Sequence, residues 1–218
     1  MDPQFHALAE ELAAIGRRFY ARGWVLGTSG NFSAVASTRP FRLAITPSTA
    51  HKGKLDAARI LEIDESGRVI GKAEGKAEGK AEGKAEGRPS AETLLHLEIV
   101  KARGAGAVLH THSVWSTILS GIHTGAGGLA IEGFEMLKGL DSVSTHEHRE
   151  WVPIVENDQD MTRLATRVRD VLAESTDAHA FVISRHGLYT WGETLADAER
   201  HVEILEFLFE TLGRQVTR

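Results

Sequence analysis

A short apolar run that ends in two alternate histidines is the feature that most restricts how this chain can fold. Gly106-Ala-Val-Leu-His110-Thr-His112 has the length and composition of a buried strand entering its loop. Because alternate side chains of a strand share a face, His110 and His112 can approach one ion together. A third ligand from elsewhere, for which His186 in a distant Ser-Arg-His-Gly turn is a candidate, would leave one coordination position open, as in catalytic zinc sites. Two half-buried strand-end histidines without a metal are the alternative that this motif leaves open.

The composition narrows the chemistry of such a site. The chain has 218 residues, no cysteine and a formal net charge of -5. It therefore has no thiolate metal site, no disulfide framework and no basic field for a nucleic-acid backbone. It also lacks a signal-peptide pattern and any run of about eighteen apolar residues, so we expect a cytoplasmic protein without a membrane partner. Any metal must be held by histidines and carboxylates, which favours a catalytic site.

The hydrophobic periodicity predicts helices alternating with short strands. Helices are expected over residues 2–22, 89–104, 114–119 and 161–173 and from 194 onward; strands are expected over 31–35, 42–45, 60–63, 68–70, 106–110, 151–155, 180–183 and 188–191. Short strands with helices before, between and after them indicate a three-layer α/β/α domain. We predict that residues 1–218 form a single domain of this kind.

One segment has low complexity. The unit Gly71-Lys-Ala-Glu is repeated four times in tandem through Glu86. A glycine at every fourth position costs a helix about 1 kcal/mol each relative to alanine, and the period places like charges four residues apart. The repeat has no apolar side chain larger than that of alanine to bury. We therefore predict that residues 71–87 are a solvated loop insert without a chemical role.

Polar clusters in the loops are candidates for anion binding. The turn Gly27-Thr-Ser-Gly-Asn31 offers backbone N–H groups and hydroxyls suited to a phosphate, and the segment from Thr46 to Lys52 adds hydroxyls and a cation. Ser90 is expected at a helix N-terminus, where anions bind readily, with Glu92 in the first turn. Taken alone, each cluster is more often an ordinary turn, since these residue types form turns in any case.

Five motifs occur together in the order in which one protein family has them, and they give the chain a clear resemblance to the class II aldolase/adducin family. They are Thr28-Ser-Gly-Asn31, Ile45-Thr-Pro47, Pro89-Ser-Ala-Glu92, Gly104–His112 and Arg185–Gly192. The resemblance covers nearly the whole chain apart from the insert. It implies a class II aldolase-like domain with a central mixed, mainly antiparallel sheet, one zinc ion per subunit, a sugar-phosphate substrate and a homotetramer with sites at subunit interfaces.

Three further segments narrow the resemblance to a branch of the family that dehydrates a keto-sugar phosphate. They are Glu135-Met-Leu-Lys-Gly139, Val152–Asn157 and Trp191–Thr194. Carried over position by position, the resemblance implies the following roles: zinc ligands His110, His112 and His186; phosphate-site residues Asn31, Ser48 and Ser90; and acid/base residues Glu92, as in the aldolases, and Glu135, as in the dehydratase.

Two other functions stay open at this point. A zinc-dependent sugar-phosphate aldolase or epimerase is the alternative within enzymes, and an adducin-like interaction module is the alternative outside them. Retention of all three histidines and both glutamates argues against the module, which needs none of them. The second pair, His146-Glu-His148, is predicted to lie in an exposed charged loop, and no metal role is assigned to His6, His51, His96, His123, His179 or His201.

Overall fold

Amphipathic helices and short apolar strands form a single sheet with helices on both faces. The computed structural model describes residues 3–72 and 87–216. The helices are α1 (Pro3–Ala21), α2 (Thr93–Arg103), α3 (Val114–His123), α4 (Met161–Glu174) and α5 (Leu195–Val216), and the strands are β1 (Asn31–Thr38), β2 (Phe41–Ile45), β3 (Leu61–Ile63), β4 (Val69–Lys72), β5 (Ala107–Thr111), β6 (Gly128–Ile131), β7 (Glu150–Val155), β8 (Ala180–Ile183) and β9 (Gly187–Gly192).

The strands make one sheet in the part of the chain that is described. Their order is β4-β3-β2-β1-β5-β9-β8-β7-β6. Within residues 3–72 and 87–216, β7 and β8 pair in parallel and every other neighbouring pair is antiparallel. The expectation of a mixed, mainly antiparallel sheet is confirmed. Strand β6 was not predicted from the sequence, because its four residues follow a glycine-rich turn and give too short a pattern.

Each face of the sheet is covered by helices. On one face, α1 and α5 bury Leu12, Phe19 and Val202 against Leu109 of β5, and α3 packs beside α5. On the other, α2 and α4 pack together and cover a cluster that includes Val108. Complete burial of one such side chain stabilises the fold by about 1.5–3 kcal/mol. These two layers confirm the three-layer arrangement.

Helix α2 begins later than the sequence pattern indicated. We expected its first turn at Pro89-Ser90, but Pro89 instead forms an isolated β-bridge with Pro47, which keeps this segment extended. Thr93 donates its N–H to the carbonyl of Ser90 at 3.0 Å, so Ser90 lies in a turn before the helix. Glu92 occupies the N-cap position, and the helix ends at Gly104, whose left-handed φ of 62° suits glycine.

The start of the predicted loop insert is also corrected. Gly71 and Lys72 belong to β4 and pair with Glu62 and Leu61 of β3, because the antiparallel ladder continues past Ile70. Residues 73–86 of the repeat lie outside the described residues. None of the helices described in 3–72 and 87–216 combines the length and apolarity needed to cross a membrane.

Candidate metal centre

Chain direction brings the three histidines of the sequence motifs together. β5 is antiparallel to β9, and β9 is antiparallel to β8. The end of β5 therefore lies beside the turn between β8 and β9, and we call this side of the molecule the histidine end of the sheet. The Nε2 atom of His112 is 2.8 Å from that of His110 and 3.2 Å from that of His186. The three side chains form a group able to hold a metal ion.

Hydrogen bonding and burial keep His110 and His112 in a form that can bind a cation. His110 is completely buried and donates its Nδ1–H to the carbonyl of Leu188 at 2.8 Å, which leaves a lone pair on Nε2. Burial lowers the pKa of His110 well below its ordinary value, and burial together with the nearby His186 lowers the pKa of His112 to about 4. The imidazoles of His110 and His112 are thus neutral near pH 7. The lone pair on Nε2 of His110 faces Nε2 of His112, and a divalent metal can take the place of the proton between the two rings, so this donor set fits such an ion.

Glu92 belongs to the same group. Its Oε1 lies 3.1 Å from Nε2 of His186 and 3.7 Å from Nε2 of His110. Burial alone would raise the pKa of Glu92, but the imidazoles of His110 and His186 and an amide hydrogen bond from Asn31 lower it below its ordinary value. The carboxylate is therefore ionised at neutral pH, and its position allows it either to bind the metal or to accept a proton from a molecule bound there.

A buried hydrogen-bond chain holds Glu92 in place. Asn31 donates its side-chain N–H to Oε2 of Glu92 at 2.5 Å, and the carbonyl oxygen of the same amide accepts from Nε2 of His96. Ser33 lies behind, with its hydroxyl 2.7 Å from Nδ1 of His96. Burial lowers the pKa of His96 to about 4, so a neutral ring donates to Asn31 and accepts from Ser33. The structure thus places Asn31, a predicted phosphate residue, in contact with the carboxylate, and it reveals His96, to which the sequence assigned no role.

The segments that carry the other two predicted phosphate residues lie side by side. Ser48 donates its backbone N–H to the carbonyl of Arg88 at 2.9 Å, next to the bridge between the two prolines. The hydroxyl of Ser90 accepts the N–H of Glu92 at 3.2 Å. Both serines are partly exposed. Two hydroxyls on adjacent segments beside Glu92 are suitable donors for an anion.

A buried cation accompanies these segments. Lys52 is 1 % exposed, and its Nζ donates to the carbonyls of Ala50 at 2.9 Å and Thr28 at 3.3 Å. Burial lowers its pKa to about 8, against the opposing charge of Glu92. From the sequence Lys52 was only a cation near a turn. The structure shows it enclosed within electrostatic range of Glu92.

Two aromatic rings stack in series on the ring of His110. The ring of Tyr189 lies parallel to that of His110 with their centroids 3.8 Å apart, and Phe181 stacks on Tyr189 at 5.0 Å. Burial, followed by the charge of Glu92, raises the pKa of Tyr189 well above its ordinary value. Sequence reasoning missed Tyr189. The pairing of His110 with Tyr189 across β5 and β9 would have identified it, but strand register is known only from the fold.

Within one chain, Glu135 is not part of this group. It lies in a short 3-10 helix, 72 % exposed, with Lys138 at 2.8 Å and His146 at 3.8 Å from its carboxylate. Leu137 of the same short helix packs on the α3/α5 face of the sheet, whereas the ring of His110 stacks on Tyr189 on the α2/α4 face. The sheet therefore separates Glu135 from the histidines of its own chain.

The sequence and the fold are those of a known protein family. Residues 10–212 match the model of the class II aldolase and adducin N-terminal domain, and the chain belongs to this family. It is 44 % identical over 210 residues, 96 % of this chain and 94 % of the relative, to a methylthioribulose-1-phosphate dehydratase of Methylococcus capsulatus. The chain is also 39 % identical over 208 residues, 95 % of this chain and 93 % of the relative, to a methylthioribulose-1-phosphate dehydratase of Marinobacter nauticus.

A solved structure shows the same fold. The L-fuculose-1-phosphate aldolase from Thermus thermophilus superposes with a TM-score of 0.69 at 21 % identity, covering 97 % of each chain. At this identity the likeness concerns the fold alone. It confirms the expected class II aldolase-like architecture.

Proposed function

We propose that this protein is a metal-dependent hydro-lyase that converts 5-methylthioribulose 1-phosphate to 2,3-diketo-5-methylthiopentyl 1-phosphate in methionine salvage. The observation that carries the proposal is the convergence of three imidazoles and one ionised carboxylate at the histidine end of the sheet. The names of the two dehydratase relatives support the choice of substrate. We also propose that the enzyme works in the cytoplasm as a homotetramer, as the family resemblance implies.

His110, His112 and His186 would hold the metal, one ion per subunit. We propose zinc, because three imidazole ligands with an open position are a common catalytic zinc arrangement. When bound, the ion acts as a Lewis acid toward the ketone and neighbouring hydroxyl oxygens of the substrate. The hydrogen bond from His110 to the carbonyl of Leu188 keeps its Nε2 directed at the ion.

The carboxylates move the protons. Dehydration removes the proton on C3 of the keto sugar and the hydroxyl on C4, so one group must accept a proton and one must help the hydroxyl leave as water. We assign the main transfers to Glu135. Because the sheet separates Glu135 from the histidines of its own chain, it would act at the site of a neighbouring subunit. Glu92, held by Asn31, keeps a negative charge beside the substrate and orients it.

The phosphate end of the substrate would bind where Ser48 and Ser90 lie side by side. Their hydroxyls and the backbone N–H groups of the turn at residues 27–31 are the proposed donors, with Asn31 at the border between phosphate and carboxylate. Lys52 adds a buried positive charge, which lowers the cost of bringing a dianion near Glu92.

Product analysis tests the reaction. The metal-loaded protein is incubated with 5-methylthioribulose 1-phosphate, and the products are separated by mass. Loss of one water with appearance of a diketone absorbance is the expected result. The second candidate is aldol cleavage, which the contact of Glu92 with His186 favours, because the family resemblance makes that glutamate the acid/base residue of the aldolases. Two smaller carbonyl fragments would establish cleavage and refute dehydration.

Subunit mixing tests the placement of Glu135. Glu135→Gln and His112→Ala should each be nearly inactive as homo-oligomers, the first by roughly 10²–10⁴-fold in kcat for lost proton transfer. When the two chains are unfolded, mixed in equal amounts and refolded, about a quarter of the sites should combine an intact histidine group with an intact Glu135 from a neighbour. Activity that does not recover on mixing would contradict a shared site. Mixing Glu92→Gln with Glu135→Gln is the control for Glu92. Because Glu92 contacts the histidines of its own chain, about a quarter of the mixed sites should again have every group intact and activity should recover. No recovery in this mixture would mean that one chain supplies both glutamates to a site.

A further inference from the structure

A second group of ligand-type side chains lies at the opposite end of the sheet from the three histidines. Glu150 is the first residue of β7, His148 precedes it by two positions, and His179 directly precedes β8. Because β7 and β8 are parallel, their first residues lie on the same side of the molecule. The four residues of β8, at roughly 3.3 Å each or about 13 Å in all, separate this side from the turn of His186. We call His148, Glu150 and His179 the distal cluster.

The geometry of the distal cluster is that of a metal site. Nε2 of His148 is 2.8 Å and Nδ1 of His179 is 2.9 Å from the same oxygen, Oε2 of Glu150, and the three ligand atoms all lie within 4.8 Å of one another. Ligand atoms around tetrahedral zinc are about 3.3 Å apart, given bonds of about 2.0 Å. The two distances to Oε2 of Glu150 would each have to lengthen by about half an ångström to admit an ion, in side chains that are 29 % (His148), 1 % (Glu150) and 15 % (His179) exposed.

The surrounding hydrogen bonds leave the ring nitrogen of His179 that faces Glu150 available to bind a metal. A carbonyl oxygen can only accept, so Nε2 of His179, 2.8 Å from the carbonyl of Asp141, carries a proton. In its neutral form this imidazole has its lone pair on Nδ1, which faces Glu150. A ligand histidine whose other nitrogen donates to a backbone carbonyl is the usual outer-shell arrangement of protein metal sites, and His110 shows the same arrangement at the histidine end.

The outer groups are themselves held in place. Asp141 donates its backbone N–H to Nε2 of His201 at 3.2 Å, and its carboxylate is bound by Arg200 of α5. Nδ1 of His201 donates to the carbonyl of Trp191 at 2.7 Å. These contacts connect the loop that precedes β7, the loop that precedes β8 and helix α5, and they fix the direction of the His179 ring.

A cavity gives access to the cluster. It has a volume of about 750 Å³, and its lining includes His148, His179, Asp141 and Arg103. Positions of an ion that are left open by the three ligands would face this cavity, where water or a small anion can enter. This location is distinct from the groups that we assign to catalysis.

We propose that His148, Glu150 and His179 form a second divalent-metal site, for zinc or a chemically similar ion such as cobalt. The site ties the segments before β7 and β8 together and is independent of the reaction at the histidine end. Without metal, His179 hydrogen-bonds directly to Glu150: burial lowers the pKa of His179, but this hydrogen bond raises it overall. A metal ion would take the place of that hydrogen bond, and because histidine ligands must be deprotonated, metal binding should weaken as the pH falls.

Metal counting in the absence of the first site tests the proposal. The full-length H110A/H112A protein is stripped with EDTA, equilibrated with excess Co²⁺ and desalted, and the bound cobalt is measured by mass spectrometry. We expect one equivalent per chain, with visible absorption bands of a four-coordinate Co²⁺ ion. Adding His148→Ala or His179→Ala should remove the equivalent and the bands, whereas adding His146→Ala, an exposed neighbour outside the cluster, should keep both.

Counting in the otherwise wild-type chain is the second measurement and does not depend on the H110A/H112A background. Two equivalents should fall to one in His148→Ala, a change at a partly exposed side chain that leaves the three histidines of the first site intact. One equivalent at saturating Co²⁺ in the wild-type chain overturns the proposal. So does a second equivalent that persists in both His148→Ala and His179→Ala. None of these outcomes depends on which reaction the enzyme catalyses.

Discussion

A buried glutamate behind the metal centre makes the stability of this protein depend on pH. Glu206 of α5 is 2 % exposed, and its Oε1 accepts the hydroxyl of Thr111, the residue between His110 and His112, at 2.6 Å. Its Oε2 has no hydrogen-bond partner among the described residues. Burial raises the pKa of Glu206 from 4.5 to about 7, against the opposing effect of hydroxyls from Ser113 and Thr111.

The sign of the effect follows from the proton balance. The folded chain holds the proton of Glu206 more tightly than the unfolded chain, so the free energy of unfolding decreases as the pH rises from 4.5 to about 7 and is then constant. Each tenfold difference in proton affinity corresponds to about 1.4 kcal/mol, which gives a total loss of about 3 kcal/mol above pH 7. Between pH 5 and pH 8 the loss is roughly 2.5 kcal/mol.

Glu206→Gln removes the titration while it keeps the shape of the side chain. Relative to the wild type, the variant should therefore gain about 2.5 kcal/mol in free energy of unfolding between pH 5 and pH 8, and the contributions of all other groups cancel in the comparison. Urea unfolding of both metal-free proteins at the two pH values measures this difference. Metal-free protein is needed because binding to histidines is itself pH-dependent.

A neighbouring glutamate is the control. Glu203 lies one turn earlier on α5, 43 % exposed, in an ion pair with Arg22 at 2.8 Å. Glu203→Gln should change the free energy of unfolding by less than about 1 kcal/mol and should not gain stability at pH 8. A difference between Glu206→Gln and wild type that is the same at both pH values would refute the reasoning, since it would mean that Glu206 is ionised in the folded protein throughout this range.

Three further predictions concern the site and the repeat. His112→Ala should lose the metal of the histidine end, measured in a His148→Ala background, and all turnover, while circular dichroism stays that of the folded protein; full metal content would remove His112 from the ligand set. Asn31→Asp should place a second carboxylate against Glu92 and so raise the pKa of one carboxyl group of the pair. The acidic limb of the kcat–pH profile should then move to higher pH, and kcat should fall by roughly tenfold or more. An unchanged profile would contradict the role of the Asn31 amide. Deleting residues 79–86, two repeat units, should alter the free energy of unfolding by roughly 1 kcal/mol or less, because loop-closure entropy changes slowly with length, and a large loss of metal or activity would show that the repeat has a structural role.

Local sequence patterns predicted the helices and the pair of metal ligands His110 and His112. Apolar periodicity predicted all five helices, and α1 and α4 begin and end within a few residues of the expected positions. The spacing His110-Thr-His112 predicted that two imidazoles at the end of one strand would meet, and they do. These properties depend on residues close together in the chain, where helix and strand geometry alone sets the distances. The start of α2 at Thr93 was missed because it depends on Pro47, which is distant in sequence.

Contacts between residues that are distant in the chain were decided by the tertiary structure. Glu206 follows Val202 by four residues and faces the same core, but its pattern on α5 does not show that Thr111 covers it. The resemblance pointed to Glu92 and Glu135 alike, whereas the fold places Glu92 beside His186 and Glu135 across the sheet from the histidines of its own chain.

The histidines outside the family motifs also show which properties the sequence predicts and which depend on the tertiary structure. The prediction of an exposed loop holds for His146 but is wrong for His148, which is partly covered and contacts Glu150. His179, distant in sequence, reaches the same carboxylate because β7 and β8 pair in parallel. His96 reaches Asn31 because α2 packs over β5, the strand next to β1. The sequence by itself determined which residue types were available and which near neighbours share a face. Strand order and helix packing decided which of them meet, because such contacts depend on the relative positions of whole elements and leave no local periodic signal.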